Sequence, residues 1–173
     1  MKEIKHRFST KIISETAMFV SLATVLSYIK IGLAQGGSVT AGSMVPILWL
    51  ALRRGPKVGL FAATLYGIVQ LAAEPYIVHP AQVLLDYPIA FGVLGVAGFF
   101  QKRPYIGITL GIFGRFIAHF ISGIIFWPQF TPEGMTPEVY SAVYNGSYML
   151  VELVISIYLL YLLQTSKVLN KYL

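Results

Sequence analysis

The chain has 173 residues, of which 56% are hydrophobic and 12% are charged, and its mean hydropathy is +0.70. Soluble domains carry about 25% charged residues, and a soluble fold of this composition would leave a large apolar surface in water. The absence of cysteine excludes disulfides, and the net charge of +6 is divided among short segments, unlike a nucleic-acid-binding stripe. Long apolar runs without strand-like alternation predict an all-α membrane protein.

Helix breakers and charge clusters divide the chain into six candidate spans, each needing about 20 apolar residues. The candidates lie at about 12–34, 40–52, 57–73, 82–100, 105–127 and 139–164. The first follows a basic N-terminus but is too long for the apolar core of a signal peptide, so we expect it to be retained. The second is short and is predicted as a tilted or partly buried helix, followed by a turn at residues 53–57. We expect residues 1–173 to form a single integral membrane domain.

The basic residues predict the orientation of these spans. Eleven of the thirteen lie before span one or after spans two, four and six, which is one side of a six-span protein. Lys30 lies near the other side, and Arg115 falls within a span. Because cytoplasmic loops of membrane proteins carry an excess of Lys and Arg, we expect both termini in the cytoplasm.

The opposite side receives three segments, at about 35–43, 74–81 and 128–138. These segments contain Glu74, Glu133 and Glu138 and no Lys or Arg. A cationic solute that arrives from outside would therefore meet an acidic and aromatic mouth.

Polar and ionisable residues at membrane depth are unfavourable, and each is a candidate for function. The candidates are Glu15, Asp86, Arg115, His119, Asn145 and Glu152. A buried Asp86 needs a donor or a positive charge, so it is a structural partner of Arg115, a helix-end charge, or a ligand carboxylate. His119 lies four residues after Arg115 and shares its helix face. No second His or Cys has ligand spacing to His119, so we predict no metal site.

Aromatic and amide side chains gather at the same ends of the spans. Trp127 closes span five, either as an interfacial belt residue or as a platform for a heteroaromatic or cationic ring. Near the start of span six, Tyr140, Tyr144 and Tyr148 flank Asn145, whose amide suits the edge of an aminopyrimidine. Hydrogen bonding between helices is the alternative role of these residues.

Ala17 and Ser21 are four residues apart near the start of span one. Small residues at this spacing allow a second helix to approach closely, either within the chain or from a docking partner.

Motifs of common enzymes are absent. The chain contains no G-x-x-x-x-G-K-[ST], no G-x-S-x-G and no H-E-x-x-H. Hydrolysis of ATP by a P-loop mechanism is therefore excluded, and we predict a protein that is not an enzyme and needs no cofactor.

Five motifs in order carry a resemblance to a known family over essentially the whole chain. They are QGGSV at 35–39, LRRGPKVGL at 52–60, HPAQVLLDYPIAF at 79–91, RFIAHFISGIIFW at 115–127, and VYSAVYNGSYM at 139–149. The chain resembles the thiamine-specific S component (ThiT/YuaJ family) of energy-coupling factor (ECF) transporters. The resemblance implies a six-helix protein of the prokaryotic plasma membrane that captures thiamine at the extracytoplasmic face. It also implies two kinds of partner, a shared ECF transmembrane subunit and two cytoplasmic ATPases.

The resemblance implies specific site residues as well. The ligand positions would be Asp86, Tyr87, Tyr76, His119, Trp127, Tyr140 and Asn145, and the docking positions Ala17 and Ser21.

Three positions of this chain depart from those of some members. Asp86 stands where some carry Glu, and Ser21 where some carry Ala. Gly36 and Gly37 occupy a loop in which some have tryptophan, so a lid contact of that type is not implied here.

Two alternatives to thiamine capture stay open. The same architecture could bind a thiamine precursor or another vitamin. The chain could also be an autonomous proton-coupled carrier that uses Asp86 and His119 as a relay.

Overall fold

The computed structural model describes residues 9–33 and 37–166, which form six helices, a short 3₁₀-helix (Pro128–Phe130) and one short hairpin. The helices are α1 (Thr10–Tyr28), α2 (Val45–Arg54), α3 (Pro56–Ala73), α4 (Pro80–Phe100), α5 (Pro104–Phe126) and α6 (Pro137–Thr165). The strands are β1 (Lys30–Gly32) and β2 (Ser38–Thr40). Several residues that were counted among the basic residues or in the QGGSV motif lie outside the described part of the chain: Lys2, Lys5, Arg7, Gln35, Gly36, Lys167 and Lys171.

Proline and short polar caps define where the helices begin. A proline stands at the first or second position of every helix from α2 to α6. This position suits proline because the first N–H groups of a helix have no partner within it. Ser9 caps α1 by accepting from the Ile12 N–H, and Thr136 caps α6 by accepting from the Val139 N–H.

The hairpin corrects the predicted ends of the first two spans. Strands β1 and β2 pair antiparallel, with Ile31 opposite Val39. The predicted span 12–34 is therefore helical only to Tyr28, and the predicted span 40–52 becomes helical only at Val45. The apolar run continues through Ile31, and a short apolar run does not distinguish a strand from a helix.

The short helix α2 is surrounded by protein. All its residues from Val45 to Ala51 are buried, and it packs against α1, α3 and α4. Its ten residues are too few to cross a bilayer unaided, but a helix enclosed by longer helices needs no lipid contact. This confirms the predicted burial of the second segment.

The turn predicted at residues 53–57 consists of one residue, Gly55. Gly55 has a φ of +84°, a left-handed conformation that glycine adopts without strain. Arg53 and Arg54 still belong to α2, and Pro56 already begins α3. The prediction was too wide because charged residues at a helix end resemble a loop in sequence.

The contact between α3 and α4 depends on glycines spaced three residues apart. Residues Val93–Phe100 of α4 form a 3₁₀-helix, which has three residues per turn, so Gly92, Gly95 and Gly98 share one face. A Cβ at Gly95 would clash with the backbone of Leu60, and one at Gly98 with that of Pro56. Glycine therefore permits direct backbone contact between the two helices.

Four helices are long and apolar enough to cross a membrane: α3, α4, α5 and α6. Their outward side chains are apolar, with Phe113 55% exposed and Val154 66% exposed. This surface suits lipid, where a helix satisfies its own backbone hydrogen bonds.

Candidate functional site

A cavity of about 660 Å³ lies at the end of the bundle that carries the hairpin. Its volume is within the range of small-molecule sites, roughly 300–1,000 Å³. The lining comes from the hairpin and from α1, α3, α4, α5 and α6. All seven ligand positions named from the sequence line it: Tyr76, Asp86, Tyr87, His119, Trp127, Tyr140 and Asn145.

Asp86 accepts hydrogen bonds on both carboxylate oxygens. Gln82 Nε2 donates to Oδ2 over 2.7 Å, and Ser122 Oγ donates to the same oxygen over 2.9 Å. His119 Nδ1 lies 3.0 Å from Oδ1. Three donors from two helices therefore satisfy a half-buried carboxylate, which would otherwise be unfavourable at this depth.

The same contacts assign the tautomer of His119. Arg115 Nε lies 3.4 Å from His119 Nε2. Because a guanidinium only donates, Nε2 is the acceptor and Nδ1 carries the proton that points at Asp86. This arrangement favours the neutral form of His119.

Arg115 contacts His119 and Phe91. Its guanidinium carbon stands 3.9 Å from the centre of the Phe91 ring, a cation–π contact. The direct Asp86–Arg115 pair considered from the sequence is not formed, since the structure places His119 between them.

A π-helical segment positions Asp86 and Tyr87. Residues Leu85–Ile89 of α4 form this wider turn, and Pro88 lies inside it. Proline has no N–H to bond within the helix, which favours a local change of helix type. Gly67 of α3 allows the close approach here, because a Cβ at Gly67 would be 2.5 Å from the Tyr87 carbonyl oxygen.

Tyr87 holds the loop after α3 in place through two hydrogen bonds. Its hydroxyl donates to the Glu74 carbonyl over 2.8 Å and accepts from the Tyr76 N–H over 2.9 Å. The loop thereby holds the Tyr76 ring 5.1 Å from the Trp127 ring. Trp127 also contacts Phe130 at 5.8 Å, so three aromatic rings form one rim of the cavity.

Asn145 connects α6 to α5. Its Nδ2 donates to the carbonyl of Ser141 over 3.0 Å and lies 3.4 Å from the carbonyl of His119. Its Oδ1 accepts from the Tyr148 hydroxyl over 2.9 Å. The interhelical role considered from the sequence is therefore present, and Asn145 also lines the cavity.

An ion pair closes part of the mouth. Lys30 of β1 lies 2.5 and 2.6 Å from the two carboxylate oxygens of Glu74, although the two residues are 44 positions apart. Of the three glutamates predicted for the acidic mouth, Glu74 is therefore paired with Lys30.

Several lining residues were not predicted from the sequence as part of the site. Arg115 and Glu152 were noted as polar at membrane depth but given no ligand role. Gln82 is four residues before Asp86, a spacing that predicts a contact on a helix. Tyr66, Gln70 and Ser27 form the floor, and their positions in apolar helices give no comparable signal in sequence.

The family model of the thiamine transporter protein family (Thia_YuaJ) matches residues 13–171. The chain belongs to this family. Its resemblance to the ThiT/YuaJ family, noted from sequence motifs, is thereby confirmed.

Curated relatives and a solved structure agree with this membership. The thiamine transporter ThiT of Bacillus subtilis (strain 168) is 33% identical over 169 residues, covering 86% of this chain and 88% of the relative. ThiT of Lacticaseibacillus paracasei (strain ATCC 334) is 31% identical over 166 residues, covering 84% and 83%. A structure of ThiT from Listeria monocytogenes superposes with a TM-score of 0.80 at 30% identity, covering 92% of this chain and 96% of that one.

Membership of this transporter family, together with the four apolar helices, confirms a multi-pass plasma-membrane protein with a role in transport. The prediction of a mostly helical membrane protein is therefore confirmed. The hairpin is the part of the fold that was not predicted.

Proposed function

We propose that this protein captures thiamine at the extracytoplasmic face as the non-enzymatic S component of an ECF-type importer. One observation carries the proposal: a cavity of the right size combines an excess of negative charge with aromatic faces and amide groups. The names of the relatives point to the same ligand.

The charge of the cavity suits a monocation. Its charged lining residues among those described are Lys30, Glu74, Asp86, Arg115 and Glu152. With a neutral His119, their formal charges sum to minus one. Thiamine carries one fixed positive charge on its thiazolium ring, so its binding would bring the cavity to neutrality.

The aromatic rim supplies faces for a flat ligand. Tyr76, Trp127 and Phe130 lie together at the mouth, with ring centres 5.1 and 5.8 Å from Trp127. Stacking of a thiamine ring on Trp127 with cation–π attraction would contribute about 0.5–2 kcal/mol.

The polar wall suits the aminopyrimidine edge. Ser141, Tyr140 and Asn145 come from adjacent turns of α6, and all line the cavity. A site built from such groups rejects ligands that leave them without partners.

We infer that the chain crosses the membrane six times and that both termini are cytoplasmic. At the cavity end, Lys30 is paired with Glu74 and Arg115 lies within α5, whereas the opposite end has Arg53, Arg54, Lys57, Lys102 and Arg103 at helix ends and in turns. The excess of basic residues supports a cytoplasmic location for that opposite end.

The exposed face of α1 supports docking of a partner. Ala17 and Ser21 are exposed, whereas Thr16, Val20 and Ala23 on the other face are buried against the bundle. A partner helix can therefore approach α1 at Ala17 and Ser21. The partner would be the ECF transmembrane subunit, with two cytoplasmic ATPases as the energy source that this chain lacks.

Two measurements test the proposal. Mass spectrometry of the purified protein after denaturation would detect retained thiamine. Titration of the folded protein with thiamine would be followed by tryptophan fluorescence. We expect thiamine to be retained and to quench the emission. A competition series with the pyrimidine moiety, thiamine and its phosphates would separate thiamine from related ligands. Absence of thiamine binding in the purified protein would refute the proposal.

A second candidate function is a proton-coupled carrier. The chain of contacts Arg115–His119–Asp86 is the observation that favours it. Thiamine uptake into liposomes that contain this chain alone, driven by a proton gradient, would support this alternative over the ECF mechanism.

A further inference from the structure

Glu152 is a buried carboxylate that is only half satisfied. It is 4% exposed and lines the cavity from α6. Its Oε1 accepts from the Thr40 N–H over 2.6 Å and from the Thr40 hydroxyl over 2.7 Å. Its Oε2 is buried without a hydrogen-bond partner within residues 9–33 and 37–166. A buried carboxylate oxygen in this condition calls for a compensating positive charge.

The two basic residues of the cavity are engaged elsewhere. Lys30 is paired with Glu74 at the mouth. Arg115 stacks on Phe91 and donates to His119. Neither contacts Glu152 in the described part of the chain.

Asp86 differs from Glu152 in the number of its carboxylate oxygens that have a hydrogen-bond donor. Both oxygens of Asp86 have donors, which come from Gln82, Ser122 and His119. Of these two carboxylates, only Glu152 has, within the described residues, an oxygen without a hydrogen-bond donor, so Glu152 has the greater need of a positive partner.

A series of tyrosines leads from the mouth to Glu152. Tyr140, Tyr144 and Tyr148 are four residues apart and lie on one face of α6, and Glu152 follows four residues later. Neighbouring ring centres are 5.9 and 6.1 Å apart. The faces of tyrosine rings attract cations, so this stripe favours a positively charged ligand along its length.

We propose that Glu152 supplies the counter-charge for the permanent positive charge of the ligand. This inference rests on the proposed function, in which that ligand is thiamine. Through Oε1 the same carboxylate holds β2, so the residue that balances the cation also fixes the hairpin beside the cavity.

The test compares thiamine with its neutral analogue, in which a thiophene replaces the thiazolium ring. Glu152→Gln keeps a carbonyl oxygen for Thr40 and removes the charge. We expect this variant to lose affinity for thiamine by about tenfold or more and affinity for the neutral analogue by less than about twofold. Glu133→Gln removes the same charge from an exposed outer position that does not line the cavity, so it should leave both affinities unchanged.

An equal loss for both ligands would show that Glu152 acts only through the hairpin, and no loss would show that its charge is not used. Either result would overturn the inference.

If Glu152→Gln does not fold, as judged by thermal unfolding, Glu152→Asp replaces it. The Asp variant keeps the charge, so the ratio of the two affinities should stay that of the wild type, and loss of that ratio would contradict the inference. Failure of the wild-type protein to bind thiamine would instead refute the proposed function.

Discussion

At the scale of single residues, the polar groups around Asp86 satisfy one another's hydrogen bonds. The Asp86 carboxylate holds Gln82, Ser122 and His119 in place. Such a network resists rearrangement, because removal of one member leaves the others buried without a partner. Side chains held in position by their neighbours would lose less conformational entropy when the proposed ligand binds.

Replacement of Asp86 by alanine should weaken thiamine binding by about tenfold or more and reduce the free energy of unfolding by about 1–3 kcal/mol. The physical reason is that three donors lose their acceptor. Fluorescence titration and thermal unfolding in detergent would measure the two effects. Asp86→Glu keeps the charge and should bind thiamine far better than Asp86→Ala. Equal affinities in the two variants would argue against a role for this carboxylate.

Trp127 should report binding, and Trp49 should not. The chain has two tryptophans; Trp127 lines the cavity, whereas Trp49 is buried within α2. We expect Trp127→Phe to abolish the quenching by thiamine while emission from Trp49 remains. Quenching that persists in Trp127→Phe would place the ligand away from the aromatic rim.

At the scale of elements, glycines permit the close contact of α3 and α4. Gly95 allows the 3₁₀ part of α4 to touch the backbone of Leu60. At the other end of this contact, Gly67 admits the π-helical turn that carries Asp86. The local helix types and the glycine positions therefore act together, and neither is visible in hydropathy alone.

Gly95→Ala should destabilise the protein by about 1–3 kcal/mol, because the added methyl group overpacks a backbone contact. Gly146→Ala is the matched control, since a Cβ at Gly146 would have an ordinary contact with Phe116 at 3.8 Å. Thermal unfolding in detergent would compare them. If the Gly95 variant is as stable as the Gly146 variant, α3 and α4 do not meet as described.

At the scale of the whole molecule, the two ends of the bundle differ in chemistry. One end holds the cavity and the hairpin, and the other holds the basic turns and the Glu15–Arg54 pair, whose Nε–Oε2 distance is 2.6 Å. This asymmetry is the basis of the proposed orientation. It also separates ligand capture from the face of α1 proposed to dock a partner.

The absence of cysteine allows a direct test of orientation. We expect Glu133→Cys to react with a membrane-impermeant maleimide in intact cells and Lys102→Cys to react only after the cells are opened. Both positions are exposed in the structure. The reverse pattern would invert the proposed topology, and equal labelling of both positions in intact cells would contradict it.

A bulky residue at the docking face should uncouple transport from binding. We expect Ala17→Trp to bind thiamine with wild-type affinity but to lose uptake in cells that supply an ECF module. Leu22→Trp, on another exposed side of α1, is the control and should transport normally. Normal uptake by Ala17→Trp would exclude this face as the docking surface.

The amino-acid sequence by itself determined the helices whose ends carry strong signals. Residues 57–73, 105–127 and 139–164 were predicted within two residues of α3, α5 and α6, because proline, glycine and charge stand at their ends. Sequence motifs also identified seven of the residues that line the cavity. Asp86, His119 and Asn145 are polar in apolar surroundings, and that contrast is local information.

Only the tertiary structure decided which of these groups meet. Thr40 and Glu152 are 112 residues apart, and Lys30 and Glu74 are 44 apart, so no periodicity relates them. The hairpin likewise depends on pairing across a loop, and an apolar run such as the one through Ile31 is compatible with helix or strand. Hydropathy reports which residues avoid water, whereas the partner of a buried charge depends on how separate helices pack.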